Sequence, residues 1–452
     1  MTDNKYEERL GTDKIFPLVL RMALPAVAAQ LVNLLYNIVD RVYIGHIAEI
    51  GTNALAGIGV TNSIIILISA FSQIVSGGGT PLASISLGRG DRERAEKILA
   101  NGFSMLIFFS VITSAIAYIF MRPILMLVGA SDATIGYAVD YLSIYLIGTI
   151  FVQITTGLNT FINCQGRAGI AMFSVIIGAV LNIVLDPLFI FAFNMGVKGA
   201  AVATVISQFF SAVWVLGFLF SKKATLRIKP KLMIPDFKII GSISSLGVAS
   251  FIMASTESIV GFVLNGSLKV YGDIYVSALS VMQSAMQIVS VPLSGFAQGF
   301  TPIVSYNYGH GNAKRVKDTF KVTLAVMFTV NIVAIVLMMI FPSFVARMFT
   351  SDTVLIETVA KIMPVFLAGM TIFGLQRECQ NMFISLGQAK TSLFIALLRK
   401  IILLVPLALI LPKFMGVMGI YTAEAVADAT AAILCTIIFA VRFPKILKSI
   451  KN

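Results

Sequence analysis

Apolar positions run through this chain in long blocks rather than in alternation. Twelve blocks lie near 15–39, 54–78, 98–120, 134–156, 169–193, 199–220, 239–265, 275–299, 318–341, 354–376, 390–411 and 416–440. Each is about 20 residues or longer, enough to cross about 30 Å of hydrocarbon as a helix. Gly and polar residues such as Gly45, Gly51, Gly166 and Gly387 mark short connections. One longer polar connector, Ser221 to Lys238, divides the blocks six and six. The pattern predicts an all-α integral membrane protein with a first lobe over 1–220, a linker over 221–238 and a second lobe over 239–452. Twelve crossings put both termini on one side.

The two lobes repeat each other. Thr80-Pro81, Gly88-x-Gly90 and Gly166 recur as Thr301-Pro302, Gly309-x-Gly311 and Gly387, all 221 residues later, and Gly196-x-x-Gly199 returns as Gly416-x-x-Gly419 after 220. A register held to within one residue across two hydrophobic bundles indicates a duplicated membrane fold, the architecture of secondary transporters.

Composition agrees with a lipid solvent. Only 12% of the 452 residues are charged and 58% are hydrophobic, with a mean hydropathy of +0.92, whereas a soluble domain carries about 25% charged residues. Cys164, Cys379 and Cys435 lack the paired spacing of a disulfide framework or zinc site. Met1 to Lys14 is polar and includes Asp3, Glu7 and Glu8, unlike a cleaved signal, so the first crossing is expected to stay in the mature protein.

The basic residues are unevenly placed. Of 34 Lys and Arg, 24 fall on the N-terminus, Arg89 to Lys97, Arg167, the linker, Lys314 to Lys321, Lys390 and the tail from Arg442, against 7 on the opposite side. The positive-inside rule then predicts a multi-pass protein of the cell membrane with both termini and the linker in the cytoplasm. The basic segments are short, scattered and without interleaved aromatics, which argues against a nucleic-acid partner and for edges that meet anionic membrane lipid.

Ionisable groups inside crossings are costly and are functional candidates by default. Asp40 closes the first crossing in Tyr36-Asn37-Ile38-Val39-Asp40, and Asp186 lies in the fifth, in Asn182-Ile183-Val184-Leu185-Asp186-Pro187. Asn182 and Asp186, four apart, share a helix face. Pro187 removes the donor for the carbonyl of Ile183, which leaves an oxygen free to act as ligand or acceptor. At 1.5 Å per residue, Asp40, Asp186 and Thr204 lie about 6, 12 and 8 Å below the outer ends of their helices, so they converge on the outer half of the first lobe. Two carboxylates with an amide and a hydroxyl at one depth suit either a Na⁺ held by hard oxygens or a proton shared between coupled acids. The structural alternatives are that Asp40 is a helix-end charge beside Arg41 and that Asn182 and Asp186 form a packing pair.

In the second lobe, Glu257 sits mid-crossing in Ala254-Ser255-Thr256-Glu257-Ser258. It could attract a lipophilic cation, carry a second proton, or be capped by neighbouring hydroxyls. Arg399 and Lys400 lie inside the eleventh crossing, and Glu378 is equally far before the turn at Gly387; an ion-pair latch of Glu378 with one of the cations is expected, the other snorkelling. Some of the 20 Met and 33 Phe are expected to line a central cleft as an adaptable wall. No G-x-x-x-x-G-K-[ST] is present, so ATP is not the expected energy source. His46 and His310 belong to no H-E-x-x-H or nucleophile elbow, which argues against an enzyme.

Five segments carry a resemblance: Val39-Asp40-Arg41-Val42-Tyr43-Ile44-Gly45, Ala54-Leu55-Ala56, Cys164-Gln165-Gly166, Asn182-x-x-x-Asp186-Pro187, and the repeated Gly-x-Gly turns after the second and eighth crossings. On these the chain resembles the multidrug and toxic compound extrusion (MATE) family over nearly its whole length, most of all its MepA-like bacterial branch. The resemblance implies two six-helix lobes around a V-shaped cleft, and rocker-type antiport that exports organic, often cationic, small molecules in exchange for Na⁺ or H⁺, with no cofactor beyond that ion. It implies that Asp40, Asn182, Asp186 and Thr204 form the first-lobe cation site, and are the metal ligands if the ion is Na⁺. Glu257, ten residues after Gly247, matches a seventh-crossing acid of another branch, whose tenth-crossing Asp has no counterpart near Leu375; coupling is therefore expected in the first lobe. A monomer is expected. The rival readings are a lipid-linked sugar flippase of the same superfamily, for which Arg399 and Lys400 speak, and a non-transporting scaffold or receptor, which needs no paired carboxylates.

Overall fold

The computed structural model describes residues 5–47 and 51–450, except the side chains of 5–7, 51–53, 257–259 and 262. Among these residues there is no strand, and twelve helices are long and apolar enough to cross a membrane. They are α1 (Ile15–Gly45), α2 (Ala54–Gly88), α3 (Arg92–Ile119), α4 (Ile135–Asn163), α5 (Ala168–Ala192) and α6 (Gly196–Phe220) in the first lobe. The second lobe has α7 (Phe237–Lys269), α8 (Asp273–Gly309), α9 (Ala313–Ile340), α10 (Thr353–Ser385), α11 (Ala389–Met415) and α12 (Val417–Ser449).

α2 and α8 run about ten residues past their hydropathy-based ends. The added turns contain Ser84, Ser86, Ser305 and Asn307, all buried, and neighbouring helices satisfy Ser305 and Asn307. Ser305 donates to the carbonyl of Ser385 at 2.7 Å and Asn307 to that of Leu10 at 2.8 Å. Hydropathy records what lipid tolerates, and these side chains never meet lipid. The connections shrink accordingly. Asp91 caps α3 by accepting from the backbone of Arg94 at 3.0 Å, and Asn312 caps α9 from Arg315 at 3.0 Å. Gly90 and Gly311, at φ 77° and 81°, make the same left-handed turn in both lobes.

The lobes touch through glycine. A Cβ on Gly88 would overlap the carbonyl oxygen of Tyr306, and one on Gly309 would overlap that of Ile85; 85 and 306, like 88 and 309, are 221 apart. The same exchange relates Gly78 on Ile243 of α7 to Gly299 on Met22 and Ala23 of α1. The lobes therefore meet as an isologous pair within one chain, helix backbone against helix backbone.

The described ends of the chain, at Leu10 and Ile450, and the linker gather at the end where Gly88 meets Gly309. The carbonyl of Leu10 accepts from Asn307 and Arg315. The linker is docked on the first lobe: the backbone of Leu226 donates to Gln165 at 3.0 Å, that of Asp236 to Asn101 at 2.8 Å, and Lys229 pairs with the buried Glu96 of α3. A cavity of about 670 Å³ reaches the opposite end, where Arg41 and Leu55 line it.

Substituting Gly88→Ala or Gly309→Ala should force α2 and α8 apart. Spin labels on cysteines introduced at the exposed Arg89 and Lys314 would read longer distances, the three native cysteines being buried away from the label. An unchanged distance distribution would show that this contact does not hold the lobes.

Candidate cation and substrate site

α1, α5 and α6 bring the four first-lobe candidates together. Asn182 and Asp186 project from one face of α5, 2% and 0% exposed. The Asn182 amide donates to Asp186 Oδ1 at 3.1 Å and to Thr204 Oγ1 of α6 at 3.4 Å. Asp40 approaches from α1 until its carboxyl lies within hydrogen-bonding reach of that of Asp186. Asp40 is thus turned inward, which removes the helix-end reading. Three buried oxygens here, Asp40 Oδ1, Asp186 Oδ2 and Asn182 Oδ1, have no donor. α5 continues past Pro187 as a π-helical turn, Leu188–Ala192, the local irregularity expected where proline interrupts the ladder beside a site.

Three tyrosines complete the site and were not singled out from sequence. Tyr36, one turn before Asp40, lies close enough to feel both carboxyls. Tyr141 lies beside Thr204 and Tyr145 beside Ser69; the two rings stack at 6.1 Å. Their four-residue spacing on one face of α4 was the available signal. The cavity wall holds amides such as Gln30, Asn33, Asn62 and Gln208 and hydroxyls such as Ser69 and Thr155, with Met172 its one methionine and no phenylalanine among the described lining residues. The expected Met and Phe wall is not found here. Many of the aromatics face outward instead, as Phe209, Phe210 and Trp214 do.

The MatE family model matches residues 25–188 and 249–410, the two copies of the repeat and most of the chain. The chain belongs to the MATE family. Multidrug export protein MepA of Staphylococcus haemolyticus is 24% identical over 424 residues, 94% of this chain and 93% of that one. A MATE protein crystallised in a bent conformation superposes with a TM-score of 0.91 at 22% identity over 99% of both chains. A multidrug resistance MATE family transporter in an outward-facing conformation gives 0.90 at 21% identity over 97% of this chain and 98% of that one.

The second lobe of this MATE chain corrects one expectation. Glu378 does not pair with Arg399 or Lys400; it accepts from Thr323 of α9 at 2.6 Å. The cations turn to α12 instead. Arg399 lies 2.8 Å from Asp428 and 3.9 Å from Glu424, and Lys400 lies 3.7 Å from Glu424. A seven-residue π segment, Leu398–Leu404, alters the side-chain register of α11 at these residues, so a count along a regular α-helix misplaced them. Glu424 and Asp428, four apart in an apolar helix, were the signal passed over. The side chain of Glu257 lies outside the described residues, while its backbone belongs to α7.

Breaking this network from one side should be costly. Asp428 is fully buried, so Arg399→Gln should destabilise the protein by about 3–5 kcal/mol, the usual cost of stranding a buried charge. Adding Asp428→Asn should recover most of that loss in thermal unfolding. A double variant no more stable than Arg399→Gln alone would show that the pair is not the relevant coupling.

Proposed function

We propose that this chain is a secondary antiporter that exports organic, often cationic, small molecules across the cell membrane in exchange for Na⁺ or H⁺, with Asp40, Asn182, Asp186 and Thr204 as the coupling site. The observation that carries this reading is the trio of donorless buried oxygens around two facing carboxyls. Such a group is an incomplete shell: it requires either a shared proton or a small cation. Two carboxylates, an amide oxygen and a hydroxyl are hard ligands suited to Na⁺.

Cation or proton binding removes the repulsion between Asp40 and Asp186 and draws α1 towards α5. α1 also lies on α8, where Gly295 and Gly299 sit against Ala26 and Ala23. A shift of α1 is thereby felt at the lobe interface, and ion occupancy biases the lobes between two packings. With the termini cytoplasmic, as the charge bias favours, the cavity faces outward in this state. The amide-rich wall offers hydrogen bonds without a fixed charge pattern, which suits the varied substrates implied by the name multidrug export protein of the Staphylococcus relative. The flippase reading is less favoured, because Arg399 and Lys400 are both engaged by α12 carboxylates. Glu257 is assigned to substrate preference.

Asp186→Asn and Asp40→Asn should each leave a folded, inserted protein that no longer drives efflux of a cationic dye from proteoliposomes under a Na⁺ or pH gradient, imposed separately. Glu257→Gln should weaken export of cationic dyes while a neutral substrate is still carried. Undiminished efflux by the Asp186→Asn protein would sink the site assignment.

A further inference from the structure

The cavity of the first lobe has a floor as well as a mouth. Along α4 it is lined by Tyr141, Tyr145, Val152, Thr155, Asn159 and Asn163. It therefore follows one helix from beside Thr204 to the last residue, about 33 Å at 1.5 Å per residue, against roughly 30 Å of hydrocarbon in a membrane. Thr155, Asn159 and Asn163 are four apart on one face, and each carries a buried side-chain oxygen with no hydrogen-bond partner. Thr204, Gln208 and Ser211 of α6 face the same space, while α5 gives it Ala168, Ala171 and Gly178, small residues that leave it wide. Among the described lining residues the only charges are Asp40 and Arg41, towards the mouth. An uncharged file of hard oxygens is a surface for water or a small cation.

The floor is the turn between α4 and α5, and the linker covers it. Gln165 in that turn is fully buried; its amide donates to the carbonyl of Phe161 at 2.9 Å and its oxygen accepts from the backbone of Leu226 at 3.0 Å. Thr225 and Leu226 are 0% exposed, and the backbone of Ile228 donates to the carbonyl of Leu219 of α6 at 3.0 Å. Two cations tie this run to α3. Arg92 donates to the carbonyl of Thr225 and lies 3.7 Å from Glu96, and Lys229 pairs with the same Glu96. In the second copy Ile384 and Leu386 stand where Asn163 and Gln165 stand in the first. The polar floor is thus confined to the lobe that carries the facing carboxyls. We propose that the first lobe holds its own release path for the coupling ion, from Asp40 and Asp186 along α4 to the linker end, with the linker as its stopper and Glu96 holding the stopper in place. Withdrawal of residues 224–228 opens the floor without parting the lobes. This rests on the coupling-site reading for the ion that uses the path.

The test reads access rather than transport. Full-length protein carrying Cys164→Ala, Cys379→Ala, Cys435→Ala and one new cysteine is placed in vesicles with the linker end facing the bath, in the Asp186→Asn background and without gradients. Ag⁺, a thiol-seeking monovalent cation close in size to Na⁺, is added to the bath, and its capture is read as protection of the thiol from maleimide after unfolding. Lys229→Gln, at a half-exposed position, should speed capture at both Asn163→Cys and Thr155→Cys about tenfold, the effect of removing one charge-assisted hydrogen bond from the closed state. Glu96→Gln should do at least as much, and Lys229→Arg should keep the slow rate. Ile154→Cys, buried at the depth of Thr155 on another face of α4, should stay slow in every variant, which reports an intact lobe. Unchanged capture at Thr155→Cys with Lys229→Gln, or an equal gain at Ile154→Cys, overturns the proposal; Lys229→Gln decides the matter even if Glu96→Gln fails to fold. Because the Asp186→Asn background needs no transport, failure of the antiport reading leaves this result intact, and a closed floor leaves that reading standing with release through the cleft between the lobes.

Discussion

The close approach of α2 to α8 constrains everything else in the molecule. Apolar side chains gain little by leaving lipid for another helix, so membrane helices associate through backbone proximity and packing of small residues. Gly88 and Gly309 permit that approach where any side chain would strike a carbonyl oxygen. Because each residue in the contact exchanges with its repeat mate, the interface favours two equivalent halves that can reorient about one axis. Its rigid backbone packing admits discrete arrangements rather than gradual deformation.

Duplication supplied two equivalent polar positions, and they have diverged. Thr204 and Gln208 of α6 correspond to Glu424 and Asp428 of α12, and Gly178 of α5 corresponds to Arg399 of α11. In the first lobe the acids sit on α1 and α5 and keep unsatisfied oxygens. In the second, acids and cations face each other across α11 and α12 at 2.8–3.9 Å. An acid pair that forms no salt bridge among the described residues must draw a proton or a cation from solution. A charge network that carries its own counterions need not. On the proposed reading, the same scaffold position serves exchange in one lobe, while in the other it carries an internal charge network.

How far the sequence was legible follows from the same physics. The twelve crossings and the repeat were readable because lipid enforces length and hydropathy, and Asp40, Asn182, Asp186 and Thr204 because helical spacing and depth brought them to one level. The ends of α2 and α8 were not, since Asn307 and Ser305 look lipid-averse until their partners Leu10 and Ser385 are known. The partners of Arg399 were not, because a π segment breaks the regular register on which spacing arguments depend. Tyr141 and Tyr145 were readable in principle, but aromatic residues in a membrane helix are ordinary until an acid is placed beside them.

This divergence limits where ion occupancy can be converted into motion. A change at Asp40 and Asp186 acts on α1, which is packed on α8 of the other lobe through Gly295 and Gly299. The second-lobe network joins α11 to α12. Loading the first-lobe pair therefore alters a helix that already spans the interface, whereas disturbing Arg399 first costs stability within its own lobe. On the proposed reading, coupling belongs with the group whose charge must be completed from outside and whose helix touches both halves. Asp40 on α1 meets both conditions.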